Sequence, residues 1–152
     1  MLAEKAPIDV SQPEDVLEAV RQIWEAKRGR ANFPRRSGFS LRDLRRVIHH
    51  LAFVAIEGER YRVKFMGDTL VQALGNHTDQ FVNDAFVPPR AKKLCKHFAE
   101  VERARVPMTI CGAMSEGGDD HRMHHTFIAP LAEDGASIDG FMVVILFSSI
   151  QR

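Results

Sequence analysis

Residues 51–66 read LAFVAIEGERYRVKFM, and the spacing of the apolar residues changes within this stretch. Residues 51–57 form an apolar run that is short enough for a strand buried on both faces. The polar, glycine-containing segment 57–60 predicts a turn. Residues 60–66 then alternate between apolar and basic, as in a half-buried strand that presents Tyr61, Val63 and Phe65 on one face. The stretch therefore predicts a β-hairpin.

Three further strands are predicted in the last third of the chain. One face of the first carries Val106, Met108, Ile110 and Met114. One face of the second carries Met123, Phe127, Ala129 and Leu131. Residues 133–135 (EDG) are typical of a hairpin turn, and the last strand, over 138–148, is apolar on both faces. Segregated helices and hairpins favour an antiparallel α+β fold.

Helices are predicted before and between these strands. Ser11 and Glu14 have the spacing of a capping box, followed by an amphipathic helix over 12–28 that ends at Gly29. A second capping signal, Ser40 to Asp43, begins a short helix. Two short helical segments fall near 68–74 and 78–84, and the longest helix spans about 89–105.

Strands 51–57 and 138–148 are apolar on both faces, so each needs a cover above and below. The middle helices can supply one cover. The other can come from the N-terminal helix that carries Trp24, or from a second protomer. The sequence leaves these two sources open.

Length and composition favour one globular domain. The chain has 152 residues, 45% of them hydrophobic and 27% charged, with a net charge of +1. No secretory signal pattern and no apolar run long enough for a bilayer are present, which predicts a cytoplasmic protein without membrane insertion. Cys95 and Cys111 are predicted to be free thiols.

Charge is unevenly distributed. Residues 27–46 contain eight basic side chains against Asp43 alone, a net charge of +7 that leaves −6 for the rest of the chain. This basic segment predicts either docking to an acidic partner or a solvated helix face. Nucleic acid is not expected as a partner, because only Phe33 and Phe39 are interleaved as aromatic side chains.

Several segments resemble, in their order and spacing, a bacterial group of compact, often stand-alone PAS proteins. They are IWEAKRG at 23–29, FPRRSGF at 33–39, DL at 43–44, YRVKFMGDTL at 61–70, LG at 74–75 and APLAEDG at 129–135. Together they extend over most of the chain from residue 16 to residue 148. The succession of two strands, short helices, one longer helix and three strands is also similar to that family.

The resemblance implies a PAS-like five-stranded antiparallel sheet of order 2-1-5-4-3, with helices on one face and an N-terminal amphipathic helical extension. This order places the first and fifth strands inside the sheet, where two covers are needed. The expected organisation is an extension over 1–50 and a PAS core over 51–150, within one structural domain. The implied role is signal sensing or protein–protein regulation, without catalysis.

PAS domains often hold a small molecule between the sheet and the longer helix. The resemblance implies that the wall of such a ligand pocket here comprises Tyr61, Val63, Phe65, Leu94, Phe98, Met108, Ile110, Met123, His125, Phe127 and Phe141. By strand alternation His125 shares a face with Met123 and Phe127, and a buried imidazole requires a hydrogen-bonding partner. That partner can be a ligand or another core group.

The sequence identifies no cofactor. His97 lies on the longest helix, where some PAS proteins carry a haem ligand, but its place at the edge of the apolar stripe does not favour haem. Cys95 lies inside that helix rather than before it, which does not favour flavin photochemistry. His121, His124 and His125 cluster near Asp119 and Asp120, with too few converging side chains to predict a metal site.

A homodimer is expected, because an amphipathic helix and an apolar sheet face commonly drive PAS dimerisation. The candidate interface residues are Val16, Val20, Ile23 and Trp24 on the helix, with Met142, Val144 and Leu146, or their odd-numbered neighbours, on the last strand. No kinase, cyclase or DNA-binding segment follows residue 149, so output is expected to pass through a protein partner, as in histidine-kinase pathways.

Two alternatives to the sensor remain open. One is a small cone-shaped α+β isomerase or dehydratase, with His125 as acid or base in an apolar pocket and Asp139 as a second candidate. The other is a ligand-free scaffold with a filled core. An acid–base pair that faces an open cavity would favour the enzyme, and a filled core would favour the scaffold.

Overall fold

The computed structural model of the chain describes residues 10–114 and 122–149. The first half contains α1 (Pro13–Arg28), a 3-10 turn (Arg36–Gly38), α2 (Leu41–Leu44), a second 3-10 turn (Ile48–His50), β1 (Leu51–Glu57) and β2 (Arg60–Met66). The second half contains α3 (Asp68–Leu74), α4 (Val82–Ala85), α5 (Pro88–Ala104), β3 (Met108–Ala113), β4 (Arg122–Leu131) and β5 (Gly140–Ser149).

The five strands form one antiparallel sheet in the order β2-β1-β5-β4-β3, as the sequence and its family resemblance predict. The two central strands, β1 and β5, are buried on both faces over most of their length. β4 is also buried on both faces over its last seven residues, which the predicted one-sided pattern does not include. The doubly covered strands therefore occupy the middle of the sheet.

Two apolar clusters lie on opposite faces of the sheet. On one face, α1 and residues 29–50 cover the strands, with Trp24 as a central side chain of the cluster. On the other face, α3, α4 and α5 pack against the strands around Phe98 and Phe141. The second cover that the sequence requires is therefore the chain's own N-terminal helix.

Local signals predict most helix ends correctly. The Ser40 hydroxyl accepts from the Asp43 amide and the Asp43 carboxylate accepts from the Ser40 amide, a complete capping box. Gly29 ends α1 at a φ of 57°. The predicted Ser11–Glu14 capping box is wrong, because left-handed Gln12 (φ 53°) precedes Pro13 and makes no side-chain cap.

A bulge in β2 changes which face its side chains occupy. Phe53 pairs with Phe65 while the next residue, Val54, pairs with Val63, so Lys64 is an extra residue in the ladder. Tyr61 and Val63 consequently lie on the α5 side, whereas Phe65 lies on the α1 side. The prediction that these three residues share one face is wrong for Phe65.

No helix within the described ranges is both long enough and apolar enough to cross a bilayer. Of the histidine cluster named in the sequence, Asp119, Asp120 and His121 lie outside the described residues. Within residues 10–114 and 122–149, no group of three His, Cys, Asp or Glu side chains could hold a metal ion.

Candidate functional site

An apolar cavity of about 390 Å³ lies between the sheet and the helices α3, α4 and α5. Its floor is formed by the side chains of the central strands that face α5. Its walls come from the three helices and from the end of β3. The apolar lining comprises Ala52, Val54, Val63, Met66, Leu70, Leu74, Val82, Phe86, Val87, Pro89, Leu94, Phe98, Ala113, Met114, Val143, Ile145 and Phe147.

The polar residues of the lining are Arg90, Lys93 and His97 on α5, and His124 and Thr126 on β4. The α5 residues fall on successive turns of one edge of the helix, next to its apolar stripe. Among the residues that the structure describes, no carboxylate lines this cavity. The ionisable groups in its wall are therefore bases.

The two histidines differ in their hydrogen bonding. His124 Nδ1 lies 2.8 Å from the Thr126 hydroxyl, with which it forms a hydrogen bond. The His124 ring lies over Gly112 on the paired strand, where a Cβ would come within 3.1 Å of Nε2. By contrast, His97 Nδ1 is buried and has no hydrogen-bond partner in the described part of the chain. A buried polar atom of this kind normally has a partner.

Burial is the main cause that lowers the pKa of His124 below its ordinary value. Smaller contributions come from repulsion by the nearby basic groups of His125, His97, Lys93 and Arg90. The surroundings of His124 therefore disfavour its protonated form. A neutral imidazole can donate from one nitrogen and accept at the other, and the Thr126 hydroxyl occupies one of these positions.

Tyr61, Phe98 and Phe141 form an aromatic cluster beside the cavity. The Tyr61 and Phe98 ring centroids are 5.0 Å apart, and Phe98 stacks on Phe141 at 4.9 Å. The Tyr61 hydroxyl donates to Glu102 Oε1 at 2.7 Å. Burial, together with this carboxylate, raises the pKa of Tyr61 above its ordinary range. The cluster packs beside the cavity and connects β2 to α5.

The predicted pocket residues divide into three groups. Val63, Leu94 and Phe98 line the cavity. Four others lie in the same cluster but beside the cavity: Tyr61, Met108, Ile110 and Phe141. The remaining four belong to the opposite side of the sheet.

Phe65, Met123, His125 and Phe127 are the four that the prediction puts on the wrong face. Phe65 and Phe127 belong to the cluster under α1. His125 pairs with Cys111 and Leu146, and its Nε2 lies 2.8 Å from the Ser148 hydroxyl. Strand alternation puts Met123 on the same side as His125. The prediction took the more apolar face of β4 as the pocket face, but that face packs under α1.

The cavity face of β4 carries His124, Thr126 and Ile128, which sequence reasoning did not include. The register of β3 against β4, which the structure gives, identifies this face. Met108 and Ile110 on β3 pair with Ile128 and Thr126, so these partners must share a face. The basic residues Arg90 and Lys93 were also missed, although their spacing from Leu94 and Phe98 places them on one side of α5.

The predicted interface residues are mostly buried within the chain. Val20, Trp24, Met142, Val144 and Leu146 lie in the cluster between α1 and the sheet, each at most 3% exposed. Trp24 Nε1 donates to the Pro130 carbonyl at 2.9 Å. Val16 and Ile23 are partly buried. Because α1 covers the sheet of its own chain, the five buried side chains contact one another within that chain, and their role in a dimer interface stays a prediction.

The side chains weighed for cofactors occupy distinct places. His97 is half-buried and lines the cavity. The Cys95 thiol lies outside the lining, where it donates to Asn83 Oδ1 at 3.1 Å. Burial raises the pKa of Cys95, which keeps the thiol protonated and weakly nucleophilic.

Comparison with known proteins agrees with this architecture. A family model described as a PAS domain matches residues 13–144 and so extends from α1 into β5. A search of curated proteins gave no match. The family match covers most of the chain, and the sheet order and the position of α5 are those that its resemblance implies. The chain belongs to the PAS domain family, whose members generally have sensory or regulatory roles.

Proposed function

We propose that this protein is a non-catalytic sensor domain that binds a small ligand and regulates a protein partner in a bacterial signal-transduction pathway. The observation that carries the proposal is the 390 Å³ apolar cavity between the sheet and α5. Its volume falls within the range of ligand sites, roughly 300–1,000 Å³. A cytoplasmic location accompanies this proposal.

The sheet offers a route from the cavity to the opposite surface. Val143 and Ile145 line the cavity, and the alternating residues Met142 and Val144 pack under α1. A ligand that shifts these strands would alter the surface on which α1 rests. Such a ligand changes the balance of two conformations only if it binds one of them more tightly. The central strands are therefore the expected coupling element.

The scaffold and the enzyme hypotheses predict different features for the space between the sheet and α5. A filled scaffold would have no cavity here. The cone-shaped enzyme requires an acid or base in the cavity, but its candidate His125 faces away from it. Its second candidate, Asp139, is exposed, and its carboxylate accepts from the Glu133 amide at 3.0 Å. No observation supports either alternative as directly as the cavity supports the sensor.

A basic surface supports the protein-partner part of the proposal. Arg42, Arg45 and Arg46 are exposed and lie within five residues of Leu41, which is 79% exposed. Within residues 10–114 and 122–149 these three arginines make no ion pair, whereas the neighbouring Lys27 pairs with Asp43 at 2.9 Å. An exposed apolar side chain with exposed arginines close to it in the sequence suits an acidic protein surface, such as that of a histidine kinase.

Native mass spectrometry of freshly purified protein, with an absorption spectrum of the same sample, tests the ligand. The expected result is a stoichiometric extra mass that disappears in Ala52→Phe, a substitution that fills the cavity from β1. Val106→Ala at an exposed loop position is the control. An empty wild-type protein that also binds nothing from a small-molecule library would contradict the ligand proposal.

The same spectra report the oligomeric state, for which a homodimer remains a prediction. Histidine kinases of the host can be assayed for autophosphorylation with wild-type protein and with a variant that carries Arg42→Glu, Arg45→Glu and Arg46→Glu. The expected result is an effect that the triple variant abolishes. The control is a variant in which the charges of Lys92 and Lys96, at exposed positions of α5, are reversed, because it tests the effect of charge alone. Equal effects of both variants would exclude the basic surface as the docking site.

A further inference from the structure

In the part of the cavity wall that the structure describes, the ionisable side chains are all basic. Three basic side chains reach it from α5 and one imidazole from β4, and no described carboxylate lines it. The rest of the lining is apolar. A ligand that matches this wall has an apolar body and a single anionic end. A cation at that end would be repelled by the basic groups.

His97 adds an observation that does not depend on net charge. Its Nδ1 is buried without a hydrogen-bond partner among the described residues, in a side chain that lines the cavity. A ligand oxygen could provide that partner, whereas a purely apolar ligand would leave the nitrogen unsatisfied. In the tautomer with its proton on Nδ1, His97 donates, and a donor forms a stronger hydrogen bond with an anionic oxygen than with a hydroxyl.

The position of α5 reinforces the same preference. Val87, Pro89 and Arg90, at the beginning of this 17-residue helix, line the cavity. The N-terminus of a helix carries a partial positive charge, which attracts anions within its first turn. The helix therefore presents its positive end and three basic side chains to the same cavity.

We infer that the cavity takes a small amphipathic carboxylate, with the carboxylate at Arg90, Lys93, His97 and His124 and the apolar chain among Leu70, Val82 and Phe98. This inference rests on the proposed ligand-binding function and specifies the ligand class. At about 390 Å³ the cavity is near the lower end of ligand sites, which suits a single short chain.

The test uses decanoate, decanol and decylamine, which share one apolar chain and differ in the end group. Isothermal titration calorimetry on the full chain is expected to show decanoate binding most tightly, by about tenfold or more over decanol. Decylamine is expected to bind more weakly than decanol. Methyl chemical shifts of the cavity residues report whether each probe enters the cavity.

Variants then locate the anionic end. Arg90→Gln with Lys93→Gln is expected to weaken decanoate about tenfold and leave decanol within about twofold. The matched control, Lys92→Gln with Lys96→Gln, removes the same charge from exposed positions of the same helix and is expected to change neither. His97→Leu is expected to weaken decanoate alone. Circular dichroism confirms that each variant is folded.

The outcomes separate this inference from the function on which it rests. Equal binding of decanoate and decanol, or equal effects of the two double variants, would overturn the carboxylate assignment and leave the ligand-binding proposal intact. If no probe binds but native mass spectrometry finds another bound molecule, the carboxylate assignment is again overturned. If no probe binds and no bound molecule is found, both proposals fail.

Discussion

Trp24 joins α1 to the sheet, and its replacement by alanine tests the cover that α1 provides. The side chain is 3% exposed and donates to the Pro130 carbonyl. Truncation of a buried Trp to Ala costs about 3–5 kcal/mol, because transfer energy is lost and a cavity remains. In a chain of 152 residues this lowers Tm by roughly 6–20 °C.

Trp24→Phe separates packing from the hydrogen bond. Phenylalanine keeps most of the apolar contact but lacks the Nε1 donor, so we expect a loss of about 0.5–1.5 kcal/mol. Circular dichroism is the appropriate assay for both variants, because Trp24 is the only tryptophan and its fluorescence is lost on replacement. Val106→Ala, at a 55% exposed position, is the control and should change stability by less than about 0.5 kcal/mol.

Two results would refute this reasoning. A Tm of Trp24→Ala equal to that of wild type would mean that α1 does not cover the sheet. Conversion of a stable dimer into a stable monomer at unchanged Tm, measured by light scattering, would mean that Trp24 contacts a second protomer. The structure instead predicts a loss of stability that is independent of protein concentration, because the contact lies within one chain.

Three further predictions concern single groups. Tyr61→Phe removes the donor to Glu102 and should lower the free energy of unfolding, measured in urea, by about 1–2 kcal/mol. Tyr61 is the single tyrosine of the chain and its pKa is raised, so alkaline spectrophotometric titration of the wild type should give a midpoint above 10.0, the ordinary pKa of tyrosine. Gly67→Ala should destabilise by about 1–3 kcal/mol or more, since a Cβ would lie 2.2 Å from the Ile48 carbonyl oxygen; an unchanged urea midpoint would contradict this. Burial lowers the His50 pKa below 6.5, so the unfolded chain takes up a proton first and stability should fall as pH drops through 6.5, less so in His50→Gln.

The pattern of polar and apolar residues along the strands is the reason why their positions in the sheet could be predicted. The two strands that are apolar on both faces occupy the sheet centre, because only there are both faces covered. Helix ends were predictable where the signal is local, as at Ser40 and Gly29. The same kind of signal failed at Ser11, because the left-handed backbone at Gln12 leads into Pro13 without a side-chain cap.

The site was less predictable, because it depends on which face of each strand meets which layer. A one-residue bulge at Lys64 moves Phe65 to the other face, and no local pattern marks it. On β4 the more apolar face, with Phe127 and Ala129, packs under α1, while the cavity face carries His124 and Thr126. Polar groups are more acceptable beside a cavity than in a filled core, where each needs a protein partner.

The amino-acid sequence by itself determined the fold class, the strand order that its family resemblance implies and the need for two covers, because these follow from the period and polarity of short segments. Only the tertiary structure decided that α1 supplies the second cover, that His125 lies away from the cavity and that His97, His124 and Arg90 share one wall. These are properties of strand register and helix rotation. A change of one residue in register exchanges the two faces of a strand, and the local sequence constrains it weakly.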